Sequence, residues 1–121
     1  MNSKDLQSRT KKFAIEIIRF AELLPNKQIG WTITNQIIRS STSVAANYRA
    51  VCRAKSDRDF ISKMGTVIEE SDETLFWLEL IEESNIIKNN SQIASLKQEA
   101  NELTAIFVSS IKTIKNRIKQ N

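Results

Sequence analysis

The chain has 121 residues, 40% of them hydrophobic and 26% charged, with a formal net charge of +4; this is the size of one domain and the composition of a folded protein. Two glycines and one proline are too few turn formers for an all-β or βαβ chain. A single cysteine, Cys52, excludes an intramolecular disulfide or a cysteine-cluster metal site, and the lack of histidine excludes His-based acid–base or nucleophilic catalysis and imidazole-dependent zinc or di-iron centres.

The first helix is predicted from about Lys4 to Leu24, capped by Ser3 or Asp5. Leu6, Thr10, Phe13, Ile17, Phe20 and Leu24 recur at spacings of four and three and form one face. Pro25 ends it, because the residue before a proline is pushed out of the α region. A second helix is predicted from Trp31 to Ala54, with a stripe of Ile33, Ile37, Ser41, Val44, Tyr48 and Val51. Its Ser-Ser-Thr-Ser centre would read as a loop by composition. The apolar phase passes through that centre unbroken, so the helix is predicted to continue, and its small residues let a neighbour approach closely.

The third helix is predicted after an N-cap at Ser56 or Asp57 and to end near Glu83. Phe60, Met64, Val67, Ser71, Leu75, Leu78 and Ile81 face inward. The polar stretch from Ser84 to Asn90, including Asn89, is the next connection. The fourth helix is predicted from Ser91 to Lys119. Ile93, Leu96, Ala100, Leu103, Phe107, Ile111, Ile114 and Ile118 give the alternating spacing of a bundle seam. Four long helices on short connections predict an all-α, up-down-up-down antiparallel four-helix bundle, with residues 1–121 as one domain. No apolar run reaches the ~18 residues of a membrane span. The opening segment MNSKDLQSRTKKF carries no signal-peptide core, which predicts a cytoplasmic protein.

Charge is segregated along the chain. Between Arg39 and Lys63 six basic residues face two acidic ones; between Met64 and Asn85 there are seven carboxylates and no cation. The end of the bundle holding the second connection and the fourth helix's C-terminus should therefore be positive. Arg49, Arg53, Lys55, Arg58, Lys112, Lys115, Arg117 and Lys119 are candidate phosphate contacts there, with Lys4 and Arg9 nearby. The competing reading is that these cations complement helix C-termini, which accounts poorly for Arg58 at the start of a helix. The carboxylate-rich third helix does not read as a metal site, since bundle di-iron sites also draw on Glu-x-x-His motifs. No cofactor is implied.

On the third helix Phe76 and Leu80 fall ~160° from the inward direction, in line with Gly65, and Trp77 lies on a shoulder. Gly65, Phe76, Trp77 and Leu80 are therefore candidate oligomer contacts, with a second copy of the chain as the simplest partner. Arg39, Ser43 and Asn47 are spaced by four on the second helix. They form either an exposed polar stripe or a set reaching Glu70 and Glu73 on the third helix or a neighbouring subunit. Cys52 reads as a small apolar residue off the main seam.

The segment from Ile38 to Arg49 (IRSSTSVAANYR), the Asp59-Phe60-Ile61-Ser62-Lys63 element and the Glu70-x-x-Glu73-x-x-x-Trp77-Leu78-x-Leu80 element together resemble the four-helix-bundle family encoded by intervening sequences of bacterial large-subunit ribosomal RNA genes. That family is often labelled ribosomal-protein-like. It is similar to the accessory protein of diversity-generating retroelements. The resemblance covers nearly the whole chain. It implies a bundle that assembles as a ring, typically a pentamer. For the retroelement relatives it implies binding of nucleic acid and of a reverse transcriptase through a basic surface. Many relatives carry an acidic residue and then a small one where Ala50 and Val51 stand here, so a role for that carboxylate does not carry over. The leading expectation is a non-enzymatic ring-forming bundle that contacts RNA or DNA; the alternative is a scaffolding module without nucleic acid.

Overall fold

The protein is described by a computed structural model over residues 1–88 and 90–120; Asn89 of the third connection and Asn121 lie outside the described residues. These hold four helices, α1 (Ser3–Ala21), α2 (Gln28–Val51), α3 (Asp57–Ser84) and α4 (Ser91–Gln120), and no strand. Each helix packs on its chain neighbours, and α4 returns to meet α1 sparsely. The result is the expected all-α antiparallel four-helix bundle, because short connections leave successive helices only the antiparallel arrangement.

The boundaries shift by a turn where local chemistry decides. Asn2, rather than Ser3 or Asp5, caps α1, its side-chain oxygen accepting from the Asp5 N–H at 2.8 Å. α1 stops at Ala21, and the chain tightens through Leu23 N–H to Phe20 O and Leu24 N–H to Ala21 O before Pro25. α2 begins three residues earlier than expected, at Gln28. Gly30 makes this possible: it is buried against Pro25, where a β-carbon would lie 1.7 Å from the Pro25 carbonyl oxygen. The far end of α2 closes early in the same tight-turn manner, with Arg53 N–H bonded to Ala50 O and Ala54 N–H to Val51 O. Ser56 caps α3 by accepting from Asp59 N–H, and Asn85 ends it in the left-handed conformation, φ 55°.

The predicted stripes form the core. All six positions of the first stripe, five on α1 and Leu24 just past its end, and all six on α2 are buried, as are Ile93, Leu96, Ala100, Leu103 and Phe107 on α4. The ring of Phe107 stacks on Tyr48, centroids 5.8 Å apart. Phe60, Leu75 and Ile111 are partly buried and pack against this core, and Ile114 is partly buried; one prediction fails, since Ile118 is exposed. Arg9 near the start of α1 pairs with Glu99 and Glu102 of α4, so the last turns of α4 run on past the start of α1, and the apolar repeat there has less to pack against.

The centre of the bundle contains matched hydroxyls. Thr74 donates to Ser40 Oγ at 2.9 Å, and Ser71 shares a 2.7 Å hydrogen bond with Thr104. Ser40, Ser71 and Thr74 are fully buried. α3 is thereby tied to both its neighbours, and among the described residues no buried side-chain nitrogen or oxygen lacks a partner.

Candidate nucleic-acid interface and oligomer face

Antiparallel topology brings the end of α2, the start of α3 and the end of α4 to one pole. Arg49, Arg53, Lys55, Arg58, Lys112, Lys115, Arg117 and Lys119 are all exposed there. Arg117 donates to Asp57 at 2.6 Å, tying α4 to the first turn of α3. The other seven make no ion pair among the described residues. Arg9 does not join this pole. Its guanidinium forks onto Glu99 at 2.8 and 2.6 Å and reaches Glu102 at 3.0 Å, and the Glu99 carboxylate holds its proton more firmly than in free arginine. Helix geometry accounts for this: Arg9 lies about two turns into α1, facing acidic positions on α4.

The polar motif of α2 divides. Arg39 crosses to α3, donating to Glu70 at 3.0 Å and also to Glu73. Asn47 stays on its own helix and donates to the Ser43 carbonyl and hydroxyl, both at 2.8 Å. Trp77 donates its indole N–H to Glu73 at 3.1 Å, which fixes the shoulder position read from the sequence. Cys52, at the C-cap of α2, is exposed and off the main seam. Burial and the adjacent Cys52 raise the titration of Tyr48 above that of an ordinary phenol.

Gly65, Phe76 and Leu80 mark the outer line of α3. Phe76 is 52% and Leu80 38% exposed, and a β-carbon on Gly65 would meet nothing within 4 Å. Phe76 packs edge-on against Trp77, with centroids 5.1 Å apart. Exposed Glu69, Asp72 and Glu83 border this ridge.

The ion pairs give the fold an acid limb. Burial raises the Glu73 carboxyl, but Trp77 and Arg39 outweigh it and leave the group below the usual range. Lys63 and the Lys55 N–H lower Asp59, and Gln98 and Arg9 lower Glu102. These carboxyls bind protons more readily unfolded than folded. Their stabilisation is therefore complete above the ordinary carboxylate pKa and is lost as pH falls through the folded values. Urea midpoints should fall below about pH 4, and Glu73→Gln should make that fall shallower. A Glu73→Gln profile superimposable on the wild type would remove this carboxylate from the account.

Comparison with known proteins agrees with this architecture. The model of the 23S rRNA-intervening sequence protein family matches residues 3–109. A crystal structure of a protein of unknown function from the S23 ribosomal protein family of Bacteroides thetaiotaomicron VPI-5482 is 32% identical, with a TM-score of 0.83 over 93% of this chain and 99% of that one. No curated protein matches. With the bundle, its helix order and the Arg39–Glu70–Glu73 crossing in place, the chain belongs to the 23S rRNA-intervening sequence protein family.

Proposed function

We propose that the protein is a non-enzymatic, ring-forming helical bundle that contacts RNA or DNA through its basic pole. The resemblance suggests five subunits. The supporting observation is the concentration of exposed cations at one pole, where Arg117 alone is paired, with Asp57. Elsewhere cations are either held by carboxylates, as are Arg9, Arg39, Lys63 and Lys97, or scattered, as are Lys11, Lys12, Arg19 and Lys27. Arg49, Arg53, Lys55, Arg58, Lys112, Lys115 and Lys119, at one pole, make no such pairs among the described residues and remain free for phosphate. Ring assembly would repeat this set around an axis and multiply a weak contact.

Phosphate contacts release counterions, so affinity should fall steeply with salt. A ring engaging ~5 phosphates of a single strand should show a slope of log K against log[salt] near −3.5. Reversing Arg58 and Lys115 to Glu should flatten the slope and weaken all sequences alike, because phosphates carry no sequence information. Fluorescence anisotropy with labelled mixed-sequence RNA and DNA reads both effects. No binding at low salt rejects the nucleic-acid reading. The scaffolding alternative has its own support in the exposed Phe76–Leu80 ridge and its carboxylates, which repel polyanions and suit a protein surface.

A further inference from the structure

A groove of about 640 Å³ runs between α1 and α2. Thr42, Ala45 and Ala46 line it on α2, and Ala14, Ile15 and Ile18 line it on α1. Ile15 is 42% and Ile18 37% exposed. The charged residues of its lining are Lys4, Lys11, Arg49 and Arg53; no carboxylate is among them. The same face of α2 continues past the groove with apolar residues, since Trp31 and Ile38 stand eleven and four residues before Thr42; Ile38 is partly buried and Trp31 is 53% exposed.

The ridge of α3 is opposite to this face in charge and shares its apolar character. Its large side chains, Phe76 and Leu80, lie toward the Trp31 end of the face, and Gly65 and Glu69 lie toward the small-residue groove. Its border is Glu69, Asp72 and Glu83, where the groove's is cationic. Its length also fits: Gly65 to Leu80 spans ~22 Å, and Trp31 to Arg49 ~27 Å. Register agrees as well. The Arg39 pairs with Glu70 and Glu73 put Leu80 roughly level with Trp31, and Glu69 roughly level with Thr42.

We infer that two copies of this chain pack side by side, the α3 ridge of one laid in the α1–α2 groove of the next. α3 touches α2 and α4 but not α1, so the ridge sits on the helix diagonal to α1 and cannot fill its own chain's groove. The contact is heterologous: each copy offers one ridge and one groove, and the series either closes into a ring or extends. Arg49 and Arg53 then lie at the subunit boundary, and phosphate contact falls to Lys55, Arg58, Lys112, Lys115 and Lys119. The inference rests on the reading that the chain self-associates, and it names the surfaces.

Two disabling variants test it. Phe76→Asp/Leu80→Asp spoils the ridge and leaves the groove; Ile15→Asp/Ala46→Asp spoils the groove and leaves the ridge. Light scattering should find the wild type oligomeric and each variant monomeric. Mixing the two should double the mass to a 1:1 dimer and no further, since the pair has one good ridge and one good groove. Circular dichroism checks that each variant folds. Lys11→Glu/Arg49→Glu, at exposed positions alone, replaces the groove variant if that one does not fold. A groove variant that assembles like the wild type overturns the inference while self-association stands, and so does a mixture that stays monomeric. A monomeric wild type overturns both.

Discussion

Replacing Phe107 by Ala should destabilise the chain by ~3–5 kcal/mol, the largest single loss expected from the core. The ring is completely buried and stacks on Tyr48. Its neighbourhood has little freedom to collapse into the space. Tyr48 is held on α2, whose register against α3 is set by Arg39 and by the Ser40–Thr74 hydrogen bond, and α4 is aligned with α3 by Ser71 and Thr104. The cost is therefore the lost transfer free energy plus a cavity that persists. Urea unfolding at one fixed protein concentration reads it, the concentration being held because association contributes to apparent stability. A loss under 1 kcal/mol would mean that α4 presents a different face to the core.

The two glycines should respond in opposite directions to the same substitution. In an exposed helix interior, alanine is better than glycine by ~1 kcal/mol. At Gly65 nothing stands within 4 Å of the new β-carbon, so Gly65→Ala should stabilise the isolated chain by about that amount. At Gly30 the β-carbon would lie 1.7 Å from the Pro25 oxygen and 2.7 Å from its carbon. Both atoms are backbone, so the first turn of α2 must move away from the end of α1. Overpacking of this kind costs ~1–3 kcal/mol, which reverses the propensity gain. Thermal midpoints of the two variants should thus fall on either side of the wild type. A stabilising Gly30→Ala would show that the α1–α2 corner adapts at no cost.

Most of the fold was readable because apolar spacing and helix packing express one geometry. The Ser-Ser-Thr-Ser segment of α2 was the hardest case. Composition argued for a loop, phase argued for a helix, and phase prevailed because Ser40 and Ser41 face the core. Thr74 is hard to read from the sequence for the converse reason: it lies on the buried face but is polar, and only its partner Ser40 makes it legible. Ile118 continues the apolar repeat yet is exposed, because a repeat in one helix does not reveal where the opposing helix stops. At the site, the basic pole followed from topology, while Arg9 was misplaced because its carboxylates lie ninety or more residues away in sequence. The outer ridge was visible from α3 alone. The groove was not, because it is divided between two helices and its floor consists of small residues that give no signal singly.

The bundle has three seams between consecutive helices and one, sparsely packed, between the first and the last. Three of the four seams therefore form across short stretches of chain, the arrangement associated with rapid folding. The fourth must close a loop of most of the sequence, at an entropic cost that grows only slowly with length. The Arg9 fork onto Glu99 and Glu102 then acts as the clasp of an otherwise sequential structure. In native-state hydrogen exchange, α1 is the helix that should open with least effort, while the α2–α3–α4 layer keeps its protection.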